Sequence, residues 1–272
     1  MKAWIIGIVL CMGASVTVAE RVICLGGSVT ETVWHIGAEE QVVAVDASST
    51  YPPQAAALPR VGYYRTLSTE GLLSLNPDLV LASEDAGPPE VITHLERAGV
   101  RVVRVTGEAT AEGTIKRIQD IGEALGRVEE SRQAAGRIAR AMEMQPPSPE
   151  SPVRVLFIFA HGAGTLNVAG THTAADEIIA LAGGRNAVTA YRGYRPLTAE
   201  ALVLAEPDVV LITEDGLQRI GGEKTVWNQI PGLAATPAGR AQRLIAMDTQ
   251  LLLGFGPRLP LAVETLREAL YP

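Results

Sequence analysis

Tyr64-Arg65-Thr66-Leu67-Ser68-Thr69-Glu70, followed by Pro77-Asp78-Leu79-Val80-Leu81-Ala82-Ser83-Glu84-Asp85, returns later in the chain. The copies are Tyr194-Arg195-Pro196-Leu197-Thr198-Ala199-Glu200 and Pro207-Asp208-Val209-Val210-Leu211-Ile212-Thr213-Glu214-Asp215. Each matched residue lies 130 positions from its copy, as Glu70 does from Glu200 and Asp85 from Asp215. Shared Leu and Val would follow from any two apolar strands. Shared Tyr-Arg, Glu, Pro-Asp and Glu-Asp in one register would rarely arise by chance. We therefore read two copies of one α/β unit.

Working outward, short apolar runs alternate with helical patterns. Strands are expected at 22–25, 41–45, 79–82 and 101–105, and helices at 28–36, 69–75 and 88–98. Ser28-x-x-Glu31 has the spacing of a capping box at the start of the first helix. Alternation of this kind argues for parallel sheet with helices on its faces. From 111 to 142 no strand signal remains, and Ile115, Ile118, Ile121, Leu125, Val128, Ile138 and Met142 recur at helical spacing. That pattern predicts one long connecting helix, interrupted by Gly126 and Gly136. The proline-rich stretch Gln145-Pro146-Pro147-Ser148-Pro149-Glu150-Ser151-Pro152 ends it, and the α/β pattern resumes at 153.

The expected architecture is therefore α/β: two Rossmann-like lobes with central parallel sheets, joined by one long connecting helix. The boundaries are 1–19 for a signal peptide, 20–108 for the first lobe and 109–145 for the helix. The linker is 146–152 and the second lobe 153–272. In open α/β sheets, ligands sit beyond the carboxyl ends of the strands. With two lobes face to face, that place is the cleft between them.

The first 19 residues read as an export signal: Lys2, an apolar run from 3 to 12, then small residues ending at Ala19, where cleavage is expected. The apolar run falls short of a membrane span, and Leu10 is too bulky to precede a lipidated Cys11. Cleavage leaves Cys24 as the remaining cysteine, so no intramolecular disulfide is expected. Hydrophobic residues make up 47% of the 272, enough for a substantial core, and the net charge of -7 comes without any basic run. Nucleic acid is thereby excluded as a partner. Gly-x-Ser-x-Gly, a Walker loop and His-Glu-x-x-His are absent.

Three segments resemble the signature of periplasmic hemin-binding proteins of ABC importers, within the cobalamin and siderophore-binding superfamily. They are Leu58-Pro59-Arg60-Val61-Gly62-Tyr63-Tyr64-Arg65-Thr66-Leu67-Ser68-Thr69-Glu70-Gly71, Ala169-Gly170-Thr171-His172-Thr173-Ala174-Ala175-Asp176, and Tyr194-Arg195-Pro196-Leu197. The resemblance spans essentially the whole mature chain and implies two lobes with little hinge motion. It implies that Tyr63 is the axial ligand of a transported heme iron, supported by Arg65. The chemistry agrees: phenolate suits ferric iron, and a neighbouring cation favours ionisation of a group whose pKa is normally ~10. Tyr64 is a rival ligand, since the repeat aligns it with Tyr194 and leaves Tyr63 opposite Gly193.

Among the histidines, His161 and His172 fall in second-lobe loops at the strand-end face, and some relatives use such a histidine as a second ligand. The plainer reading of each is loop solvation or a capping hydrogen bond. Glu70 and Glu200 each open a helix, where an acid is favoured by ~0.3 kcal/mol. The resemblance adds docking to a permease dimer of the inner membrane, one glutamate per lobe. The expected function is that of a monomeric periplasmic heme carrier. Two alternatives stay open. One is a ferric siderophore or cobalamin carrier, with Arg65, Arg185, Arg192 and Arg195 as cations, and the other is an exported α/β enzyme using the same cleft.

Overall fold

The structure is a computed structural model that describes residues 20–160, 166–196 and 198–272, without the side chains of Glu200, Ala201 and Val203. The expected signal peptide and His161 lie outside the described residues. The first lobe runs β1 (Val22–Leu25), α1 (Gly27–His35), β2 (Val42–Val45), α2 (Pro53–Ala56), α3 (Thr69–Leu73), β3 (Leu79–Ser83), α4 (Pro89–Arg97) and β4 (Arg101–Val105). Its sheet is parallel throughout, in the order β2-β1-β3-β4. Then come α5 (Ala111–Ala124) and α6 (Val128–Glu143).

The second lobe opens with β5 (Arg154–Ala160), β6 (Leu166–Ala169), α7 (Ala174–Leu181), β7 (Arg185–Asn186), β8 (Tyr194–Pro196) and α8 (Ala199–Ala205). It continues with β9 (Val209–Thr213), α9 (Glu214–Ile220), α10 (Glu223–Gln229), α11 (Pro237–Ala241), β10 (Leu244–Met247), α12 (Thr249–Leu253) and α13 (Leu259–Leu270). The order is β10-β9-β5-β6-β8, with β7 beside β5. This sheet is mixed, because β6 runs antiparallel to both β5 and β8.

Side-chain alternation along the central strands builds two cores per lobe. Val22, Cys24, Leu79 and Leu81 face α1, α5 and α6, whereas Ile23, Leu25, Val80 and Ala82 pack with Leu72, Val91 and Leu95 on the other side. In the second lobe Val155, Phe157, Val209 and Leu211 meet α7 and α13. Leu156, Ile158, Val210 and Ile212 meet Leu202, Val226, Trp227 and Leu233. Strands buried on both faces must be apolar at every position, which is why they read as unbroken runs in the sequence.

The repeated Pro-Asp has the same task in both lobes. Asp78 accepts from the Arg21 amide at 2.8 Å, and its own amide donates to the Arg21 carbonyl at 2.9 Å. Asp208 accepts from the Arg154 amide at 2.9 Å and donates back at 2.8 Å. Each aspartate thus ties the start of its own strand to the start of the lobe's first strand.

Two local expectations need correction. The connecting segment is two helices. Gly126 has a left-handed φ of +69°, a conformation that ends a helix, and the Arg127 amide turns back to the Gly122 carbonyl at 2.7 Å. The apolar period carried through the break because α5 and α6 pack on the same first-lobe core. Gly136 interrupts nothing and lies inside α6. The capping box is also absent: the residue before α1 is Gly26, with no side-chain cap bond. Glu31 is buried and belongs to a different partnership, described below.

Candidate functional site: a tyrosine loop at the strand ends

Beyond β2 the chain folds back along its own strand. The Val45 amide donates to the Pro59 carbonyl, Val61 to Val45, and Ala47 to the Gly62 carbonyl at 2.7 Å. Gly62 has φ +89°, a conformation that favours glycine, and it swings Tyr63 out of this pairing. A turn then closes with the Thr66 amide on the Tyr63 carbonyl at 2.9 Å. The loop is fastened to the β3–α4 connection as well, through Gly87 N–H to the Tyr64 carbonyl and Leu67 N–H to the Gly87 carbonyl. Tyr63 is thus presented from a fixed backbone at the carboxyl ends of β2 and β3.

Tyr63 is 40% exposed, whereas Tyr64 packs partly into the first-lobe core. Their rings meet edge to face at 4.8 Å. Burial, helped by Tyr63, pushes the Tyr64 phenol up to about 12, and Arg65 only partly offsets this. Tyr64 is therefore held as a neutral donor beside Tyr63. Arg65 sits 5.2 Å over the Tyr64 ring, and its Nη2 pairs with Asp85 Oδ2 at 2.6 Å. Burial would lower its pKa, but Tyr64, Tyr63 and Asp85 together raise it. The structure thus brings Tyr63, Tyr64 and Arg65 together, and adds Asp85 to them. Asp85 stands inside the repeat, so its presence was visible in the sequence while its partner was not.

The second lobe arranges its counterparts differently. Tyr194 is 41% exposed, with its ring 5.4 Å from Phe159. Burial raises its phenol, and hydrogen bonds with Thr173 and the Ala175 amide at the start of α7 offset part of that. Arg195 lies 4.7 Å over the Tyr191 ring. His172 is exposed, with a left-handed φ of +59°, and its amide donates to Asp176 Oδ2 at 3.0 Å. Thr171 and Gly193 fasten this loop to the 191–193 segment. Gly170 is required there, because a Cβ would run into the Tyr191 carbonyl and ring.

Glu70 and Glu200 are the second residues of α3 and α8, so the repeat places them equivalently. Ser68 caps α3 by accepting from the Gly71 amide. A surface depression of about 410 Å³ lies elsewhere, along α6, lined by residues such as Arg132, Arg137 and Arg140. It touches none of the residues above. Among the described residues, no helix is long and apolar enough to cross a membrane.

Two α/β lobes with aromatic and cationic loops at their strand ends define a solute-binding protein. The chain belongs to the periplasmic binding protein family, whose model matches residues 22–251. The periplasmic heme-binding protein BhuT, solved with two hemes, is 44% identical, with a TM-score of 0.86 over 92% of this chain and 97% of BhuT. RhuT from Roseiflexus sp. RS-1, a periplasmic heme-binding protein solved in apo form, is 40% identical, with a TM-score of 0.88 over 93% of this chain and 98% of RhuT. The vitamin B12-binding protein of Pectobacterium atrosepticum is 25% identical across 97% of this chain and 92% of its own length. The family and these neighbours are substrate-binding proteins.

Proposed function

We propose that this chain is a periplasmic heme carrier of an ABC importer. One observation carries the reading. Tyr63 is half exposed on a fixed loop, with a neutral phenol donor and an arginine beside it. That is the environment a ferric phenolate ligand needs: an anionic oxygen stabilised by a donor and a cation. The 44% and 40% identity to heme-binding neighbours supports the same ligand. In this reading Tyr63 ligates the iron, while Tyr64 and Arg65 support the phenolate. His172 and His161 are the candidate second-lobe contacts. The lobes are 20–108 and 153–272, and the mature protein is a monomer released into the periplasm after Ala19.

Heme is cargo here, bound stoichiometrically and handed on unchanged. Glu70 and Glu200, at equivalent places on the two lobes, meet cationic groups of a permease dimer. The vitamin B12-binding relatives motivate a second reading, cobalamin in the same cleft, at the lower identity of 25%.

The test is a titration of the purified protein with hemin, read by visible absorption, and a parallel titration with cyanocobalamin. The carrier reading expects a saturable complex with a ferric-phenolate spectrum that Tyr63→Ala abolishes. Loss in Tyr64→Ala alone would move the ligand by one residue. Saturable cobalamin binding without hemin binding would overturn the heme reading.

A further inference from the structure

The outer face of α6 carries a stripe at helical spacing: Glu129, Arg132, Gln133, Gly136, Arg137 and Arg140. These residues line the depression of about 410 Å³ on that helix. Glu129 is occupied at one end, with Arg132 Nη1 on its Oε2 at 2.8 Å and Gln133 Nε2 on its Oε1 at 3.0 Å. At the other end Arg137 and Arg140 are exposed, and neither has an acid partner among the described residues. The chain carries a net charge of -7, so this end of the stripe inverts the sign of the protein as a whole.

Gly136 forms the floor of the depression. Glycine inside a helix is less favourable than alanine. The fold does not ask for it here, since its φ is not left-handed and an added Cβ would make ordinary contact with Arg140 Nη1 at 3.5 Å. The missing side chain is what leaves the space. One turn beyond Arg140, Met144 ends α6 and is 83% exposed.

These features choose an occupant. Two guanidiniums without acids fit carboxylates, which they hold through paired N–H donors. A concave floor admits a protruding segment, and Met144 offers that segment an adaptable apolar contact. Arginine and methionine are both enriched where proteins meet. A flat anionic membrane would instead face the exposed Glu129, Glu130 and Glu143 of the same helix. The surface also lies apart from the tyrosine loop. α6 packs on the α1 side of the first-lobe sheet, whereas Tyr64 and Leu72 of α3 pack on the other side.

We propose that the outer face of α6 is a docking surface for an acidic segment of a partner protein, whose carboxylates reach Arg137 and Arg140 while a neighbouring apolar side chain meets Met144. Docking there leaves Tyr63 and Glu70 free, and the inference holds whichever ligand the cleft takes.

The test is fluorescence anisotropy of a labelled peptide built on the repeat Glu-Glu-Leu, titrated with the full mature chain. Its control has glutamine in place of each glutamate. The acidic peptide should bind saturably, about tenfold or more tighter than the control, and more weakly as salt is added. Arg137→Gln with Arg140→Gln should weaken binding by about tenfold or more, and Met144→Ser by about threefold. Gly136→Leu fills the floor, leaves every charge in place and favours the helix, and should weaken binding as much as the paired arginine variant. Hemin titration should be the same in all of these variants, and peptide binding the same in Tyr63→Ala.

Equal binding of the control peptide, or unchanged binding in the paired arginine variant or in Gly136→Leu, would overturn the proposal. So would an absence of saturable binding, or binding of phosphatidylglycerol vesicles or pyrophosphate in place of the peptide. If hemin does not bind, the heme reading fails, while the peptide titrations still decide this one.

Discussion

Arg65 and Asp85 form a 2.6 Å ion pair in the first lobe, whereas their copies Arg195 and Asp215 take other partners. Asp215 pairs with Arg219 at 3.4 Å and accepts a hydrogen bond from Thr249, and Arg195 turns to the Tyr191 ring. Both lobes thus inherited an arginine and an acid in register, and one of them holds the pair beside an exposed tyrosine. The asymmetry of the site lies in the partners more than in the residue types.

It follows that Asp85→Asn should loosen Arg65 and weaken the ligand complex. Both side chains are about half exposed, at 51% and 53%, so solvent screens the pair. The loss should stay at about two- to fivefold in hemin dissociation rate. Asp215→Asn should leave that rate unchanged. Stopped-flow transfer of heme to an apo-globin acceptor measures both, and equal effects would contradict the asymmetry.

Tyr64 gives a pH signature. Its folded-state phenol, pushed up to about 12 by burial, binds its proton more tightly than in the unfolded chain, where the value is ~10. The stability this contributes is complete below pH ~10 and is lost as pH rises from there towards 12. Urea unfolding at stepped alkaline pH should show that loss in wild type and a shallower one in Tyr64→Phe. Parallel curves would mean that Tyr64 is not buried as described.

At Gly122 α5 lies against α6 with no room for a side chain, because a Cβ there would overlap the Ser131 side chain and crowd the Arg127 carbonyl. Gly122→Ala should therefore destabilise the protein by about 1–3 kcal/mol, despite the higher helix propensity of alanine. Thermal unfolding reads this directly. A neutral or stabilising result would show that the helices can separate freely.

Glu70→Ala with Glu200→Ala should leave hemin binding intact and abolish stimulation of the importer's ATPase in proteoliposomes. Each single variant should be partly active, since one lobe would still dock. Full stimulation by the double variant would remove these glutamates from the docking surface.

Much of this was legible in the sequence because it is local or repeated. The two-lobe organisation follows from the 130-residue register, and the tyrosine loop from a contiguous segment. What escaped depends on distant partners. Glu31 looked like a cap three residues from Ser28, yet its carboxylate is taken by Arg258, 227 positions away. The interruption at Gly126 was marked, but the segment still read as one helix because α5 and α6 bury their apolar residues in the same core, so the period runs through a single left-handed glycine. The antiparallel β6 was hidden by a short Leu-Asn-Val-Ala strand that gives no turn signal of its own.

The sealed position of Cys24 bears on the redox chemistry of a ferric cargo. It lies in the first-lobe core at 0% exposure, and burial drives its thiol far above the ordinary range. A thiolate near ferric heme would reduce the iron or compete with phenolate oxygen for it. Among the described residues this chain offers no accessible sulfur from cysteine. On the heme reading proposed above, the cargo would rest on its oxygen ligand with no cysteine of the described residues placed to reduce its iron.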